Sequence, residues 1–242
     1  MQKDLLNVNK KHYEILLKDL DPVVLEKLHD DFLVSYTYDA VSLEGNNKKP
    51  FSDVRRIIKI GTVMNPNDKD EKEIINHVDA FNKVLELLKR NRDLTEEQVK
   101  DIHDILLKDI IIGGVYRNVN IKIIGGAHQP PDYIKVYDRM AKLFDSIKDL
   151  DLDDFDKGIY LMASISKIYP FLDANGRLTR LVLNYYLMKA GYIPISIPID
   201  KKDVYFRALE SFKVDKDIEP LTNLVISLLN SRYEIINQEL EF

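Results

Sequence analysis

Residues 171–180 read FLDANGRLTR, a carboxylate, an Asn-Gly turn and two arginines at the spacing F-x-D-x-N-G-R-x-x-R. A helix opening at Asn175 and Gly176 brings its unpaired backbone N–H groups and the positive end of its dipole to one point. Such a point seats an anion before any side chain contributes. Arg177 and Arg180, three apart, share a helical face and offer forked guanidinium donors to phosphate oxygens. Asp173 stands just ahead of the turn, where Mg2+ bridging phosphates takes one or two carboxylates. Phe171 is expected to point into the core and pin the loop. Each residue taken singly fits a capped helix with solvated arginines; the combination points to a nucleotide or phosphate site.

The elements that must position this stretch are helical. Periodic apolar residues predict helices over Glu71–Lys89, Tyr133–Ile147 and about Asp154–Ile168. Thr95 and Gln98 form a capping-box pattern ahead of Val99, Ile102, Ile105 and Leu106. A helix from Asn175 stops at Gly191, Pro220–Glu239 forms a terminal helix, and Asp31–Leu43 is helical up to Gly45 and Asn46. The polar stretch 59–73 is the best candidate for a linker. The segment 113–131, GGVYRNVNIKIIGGAHQPP, departs from this pattern: Val119, Ile121 and Ile123 alternate with Asn120 and Lys122 between glycine pairs, which is hairpin composition.

The chain's 242 residues and 45% apolar content allow one large domain, or a core with helical extensions. A net charge of −5 argues against sequence-independent capture of nucleic acid. The absence of cysteine excludes disulfides and thiolate chemistry. No apolar run has the length of a signal peptide core or a membrane span, so a cytoplasmic protein that does not engage membranes is expected.

The stretch from Tyr169 to Arg180 resembles the signature of Fic-domain proteins, H-x-F-x-[DE]-G-N-G-R-x-x-R. Phe171, Asp173, Asn175, Gly176, Arg177 and Arg180 match it. Tyr169 stands where the family has histidine, and Ala174 replaces its first glycine, as in the related Doc branch. The resemblance implies an all-α Fic-type helical bundle with one β-hairpin flap, transferring AMP from ATP to a protein hydroxyl with Mg2+. It implies catalytic positions at Tyr169, Asp173 and Arg177, with Asp173 as metal ligand. Nucleotide contacts are then expected from Asn175, Gly176, Arg177 and Arg180, with Tyr205 and Leu209 lining the adenine pocket. The segment 113–131, with Tyr116 and Arg117 near its start, is similar to the family flap. Val119, Asn120, Ile121, Lys122 and Ile123 are thereby expected to pair with a target protein, or with a second copy of this chain. Self-association is left open.

VSLEGN, residues 41–46, resembles the family's inhibitory helix, [ST]-x-x-x-E-[GN], except that Ala40 stands where Ser or Thr is expected. Glu44 is then the inhibitory glutamate and Arg180 its partner, a carboxylate competing with phosphate for one guanidinium fork. The implied organisation is an N-terminal helical region, 1–66, with the inhibitory helix at about 31–45. A core over 67–215 and a C-terminal helix over 216–242 follow.

Tyr169 changes the expected chemistry. At an ordinary pKa of about 10, roughly one phenol in a thousand is ionised at pH 7. Losing a matched general base costs ~10²–10⁴ in rate. Weak transfer by positioning and charge stabilisation, modification of Tyr169 itself, and nucleotide binding without turnover all stay open. So does transfer of another phosphate-containing group. His12, His29, His77 and His103 fall in helical stretches; His128, after the flap, is the one substitute base worth testing.

Overall fold

Capping chemistry marks where the helices begin. In the computed structural model, which describes residues 2–45, 47–123 and 126–241, Asp21 accepts from the N–H of Val23 at the head of α2 (Pro22–Ser42), with Pro22 in the first turn. Asp68 accepts from Asp70 and Glu71 at the head of α4 (Lys69–Leu88). The expected Thr95–Gln98 capping box opens α5 (Glu96–Leu106), and Asp153 caps α7 (Asp154–Ile168). The remaining helices are α1 (Gln2–Leu16), α3 (Phe51–Ile60), α6 (Val136–Ser146), α8 (Asn175–Lys189), α9 (Lys202–Asp215) and α10 (Glu219–Leu240). α8 passes into Gly191 at φ +77°, the left-handed stop expected there.

α8 is the axis of the molecule. Its residues from Arg177 through Leu187 are all buried, so it is enclosed on every side. α7 runs back against it, and α2, α4 and α5 also contact it. One core cluster joins α2, α4, α5, α6 and one side of α7 and α8. A second joins the other side of α7 and α8 to α9 and α10, and α1 lies along α10. The connection Gly61–Asp68 is folded back onto α4, where the buried Glu71 carboxylate accepts from the N–H groups of Met64 and Asn65. No described helix is long and apolar enough to cross a membrane.

The all-α class is as expected, but the hairpin is not. Among the described residues of 113–131 there is no strand; Ile124 and Gly125, at the expected turn, lie outside them. Both backbone groups of Ile123, which a ladder would pair, are taken by the side-chain amide of Gln129 at 3.1 Å each. The return arm ends in Pro130 and Pro131, which have no N–H to give a ladder. Asn120 is tied by its side chain, to Asp132 and to the N–H of Tyr133. Val119 and Lys122 are exposed while Ile121 and Ile123 are partly covered, so the alternation does not mark a packed face. The segment is an arch closed by side chains. Arg117, 2% exposed, is its clasp, donating to the carbonyls of Val119, Pro131 and Tyr169.

Candidate active site

The loop 169–174 joins α7 to α8 between two residues in left-handed conformation, Tyr169 (φ 51°) and Ala174 (φ 56°). Tyr169 ends α7 by donating its N–H to the carbonyl of Ile165 at 2.8 Å. Asn175 then stitches the loop: its Oδ1 accepts from Phe171 N–H at 3.0 Å, and its Nδ2 donates to the Phe171 carbonyl at 2.9 Å. Phe171 is fully buried and stacks on the His103 ring, with centroids 3.6 Å apart. His103 Nδ1 accepts from Gly114 N–H at 2.9 Å, so Nε2 carries the proton and donates to the Asp173 carbonyl at 3.0 Å. This histidine is a strut between the start of the arch and the carboxylate loop. Burial pushes it down to about 4, so it stays neutral at physiological pH.

The N-terminus of α8 faces a cavity of about 600 Å³ lined by Tyr169, Asp173, Asn175, Gly176, Arg180, Tyr205 and Leu209, with Glu44 at its edge. Glu44 Oε1 lies 3.2 Å from Arg180 Nη2, which also donates to the Ala40 carbonyl at 2.9 Å. Position 40 therefore serves through its backbone, which alanine supplies as well as serine. A Cβ on Gly176 would stand 2.3 Å from Glu44 Oε1 and 3.0 Å from Arg180 Nη1. Glycine leaves room there for one anionic group at the helix start, and a carboxylate occupies it.

Arg177 turns the other way. Its side chain is 3% exposed, and Nη2 lies 3.3 Å from Glu73 Oε1, itself 4% exposed, on α4. Its Nη1 is buried with no hydrogen-bond partner among the described residues. Asp173 Oδ1 accepts from the N–H of Ala174 at 2.6 Å and lies 3.8 Å from Arg177 Nη2. Its Oδ2 is 3.8 Å from the half-exposed Lys69. No group of three or more acidic or histidine side chains is gathered to hold a metal among the described residues. A single carboxylate beside an anion seat nevertheless suits Mg2+, which keeps its waters and takes the rest of its oxygens from phosphates.

Burial, then the negative charges of Glu44 and Asp173, push the Tyr169 phenol above its ordinary value. Its backbone carbonyl is held by Arg117 at 2.9 Å. His128 supplies no substitute base: its Nε2 bonds the carbonyl of Lys167 at 3.0 Å, and it does not line the cavity. His77 is completely buried on α4 against Tyr36 and Thr37.

Thus Tyr169, Asp173, Asn175, Gly176, Arg180, Tyr205, Leu209 and Glu44 meet around one cavity, together with Ile123 of the arch. Arg177 sits behind it, and Val119, Asn120 and Lys122 are exposed. Asn46, the last residue of the inhibitory-type motif, lies outside the described residues. Sequence reasoning missed Glu73 and the strut role of His103. Their sole local signal is a polar residue on an apolar helical stripe.

Residues 93–187 match the sequence model of the Fic/DOC family. Over 207 residues the chain is 26% identical to the protein adenylyltransferase Fic of Drosophila persimilis, covering 83% of this chain and 40% of that protein. The protein of the same name from Drosophila melanogaster is likewise 26% identical, with 83% and 41% covered. The chain thus spans about two fifths of the length of these curated relatives. A Fic-domain-containing signaling protein from Bacteroides thetaiotaomicron superposes with a TM-score of 0.87 at 22% identity, over 98% of both chains. Fic-1 from C. elegans gives 0.83 at 19% identity, over 99% of this chain and 72% of that one.

Proposed function

We propose that this chain, which carries a Fic/DOC-family domain over residues 93–187, is a Mg2+-dependent protein adenylyltransferase restrained by Glu44 and slowed by Tyr169. The observation that carries the reading is the seat at Gly176, where the Glu44 carboxylate fills the space beside Arg180 that a phosphate needs. A guanidinium fork holding a carboxylate is chemically ready to hold phosphate. Once Glu44 withdraws, Arg180, the start of α8 and, from behind them, Arg177, whose Nε lies 4.0 Å from Glu44 Oε2, can grip phosphate oxygens. The adenine then lies against Tyr205 and Leu209. Mg2+ at Asp173 would neutralise charge on the phosphates.

Transfer forms a bond from the acceptor hydroxyl oxygen to the α-phosphorus and breaks the bond to pyrophosphate. Arg177, Arg180 and the helix dipole stabilise the charge that develops. The acceptor proton has no matched base, because the Tyr169 phenol is raised and so is even less often ionised than a free tyrosine. The same observation supports a second reading, in which nucleotide is bound without turnover to regulate a partner. The arch at 119–123, adjoining the cavity through Ile123, is the proposed target-docking segment.

Labelled ATP and Mg2+ separate the two readings when given to the protein and to its Glu44→Gly variant. AMP transfer predicts label on protein, at least tenfold more in the variant by roughly the difference one displaced charge pair makes. Bound ATP with no label on the chain or on lysate proteins in either form rules out transfer and leaves the binding module.

A further inference from the structure

In the cradle formed by the loop 169–174 and the start of α8, Arg180 lines the cavity and Arg177 sits behind it. Each is met by a carboxylate, and the two carboxylates are built differently. Glu44 follows the last turn of α2, with a side chain 24% exposed and Gly45 behind it in left-handed conformation. Among the described residues, the Arg180 fork and a 4.0 Å approach of its other oxygen to Arg177 Nε are what hold the carboxylate. Glu73 lies in the first half of α4 and is 4% exposed. Its Oε1 meets Arg177 Nη2 at 3.3 Å and Lys69 Nζ at 3.5 Å, and its Oε2 accepts from Asn47 Nδ2 at 3.3 Å. Asn47 is itself buried and also donates to the Asp70 carbonyl at 3.0 Å.

We infer that Glu73 is a positioning residue for Arg177, a permanent counter-ion that fixes the guanidinium with Nη1 free for phosphate, and not a second inhibitor. The inference rests on the cradle being a phosphate site. A carboxylate with three partners and almost no solvent is costly to displace, because removing it leaves a buried cation uncompensated. It occupies Nη2 and leaves Nη1, which is buried and has no hydrogen-bond partner among the described residues. One guanidinium edge is tied to structure while the other keeps its hydrogen-bonding capacity. Glu44, partly exposed and held on one side, is the carboxylate that yields to phosphate.

The test uses the full chain carrying Glu44→Gly, with and without Glu73→Gln, and measures calorimetric binding of ATP, adenosine and inorganic pyrophosphate in Mg2+. Adenosine reports the pocket at Tyr205 and Leu209; pyrophosphate reports the arginines alone. The expected result of Glu73→Gln is roughly tenfold weaker ATP and pyrophosphate binding with adenosine affinity unchanged, the signature of a mis-aimed charged hydrogen bond. Glu73→Asp keeps the charge but shortens its reach, so it falls between the two and reads the same ratio if Glu73→Gln does not fold. Tighter pyrophosphate binding in Glu73→Gln makes Glu73 a competitor and overturns the inference. An unchanged ATP-to-adenosine ratio overturns it too. Binding of pyrophosphate without adenosine removes the nucleotide reading while Glu73 is still judged on pyrophosphate; binding of neither removes both.

Discussion

Tyr169 carries its backbone in the left-handed region and its ring at the wall of the cavity, so its two halves answer different demands. The backbone must turn sharply at the end of α7, and histidine tolerates that conformation better than most non-glycine residues. In the proposed transfer the ring would have to accept a proton, which a phenol raised by burial and by two nearby carboxylates does poorly. Tyr169→His in a Glu44→Gly background is therefore predicted to fold normally. It should raise AMP transfer by ~10²–10⁴, the usual worth of a matched base. Initial rates of label incorporation with ATP binding measured alongside check this. Equal rates at equal affinity would show that transfer is limited by something other than the base.

At the scale of elements, α2 is seated partly by a carboxyl that burial keeps near neutrality. Asp39 accepts from Ser196 Oγ at 2.6 Å, and burial, opposed by that bond and with Asp200 adding to it, raises its carboxyl to about 6. The folded state thus binds a proton that the unfolded state has released, so this carboxyl's contribution is full below about pH 4 and is lost as pH rises through about 6. Asp39→Asn, still able to accept from Ser196, is predicted to stabilise the protein at pH 7.5, by at most about 3 kcal/mol from a shift of this size. The gain should vanish near pH 4; urea unfolding at the two pH values measures it. α4, α5, α7, α8 and α10 were legible in the sequence because their apolar stripes and caps are local. The arch at 113–131 was not, because Gln129 and Arg117 replace a ladder with side-chain bonds that no local pattern encodes. The cradle was legible for the same reason as the helices: Phe171 to Arg180 are contiguous. Glu73 meets Arg177 from another helix, and His103 reaches Asp173 across 70 residues, so neither contact has a sequence signature.

Across the whole molecule, the proposed chemistry depends on how closely α7 and α8 approach, since the loop between them carries Tyr169, Phe171 and Asp173. Gly158 sets that approach. A Cβ there would stand 2.7 Å from Tyr186 Cβ and 3.4 Å from the Leu183 carbonyl oxygen. Tyr186 cannot swing aside: a Cβ moves only with its backbone, and its hydroxyl accepts from the N–H of Leu94 at 3.1 Å. Gly158→Ala thus forces the central helices apart. Overpacking of this kind costs typically 1–3 kcal/mol, against a gain of about 1 kcal/mol in helix propensity. The net expectation is destabilisation by up to about 2 kcal/mol, lowering Tm by up to roughly 8 °C for a domain of this size. Because α8 also supplies the proposed anion seat, ATP affinity should fall in the same variant even well below its Tm. Calorimetric melting and ATP titration of Gly158→Ala test both parts. A higher Tm would mean that propensity outweighs the clash. A lower Tm with unchanged ATP affinity would show that the cradle is set by its own loop, through Asn175 and His103, and not by helix spacing.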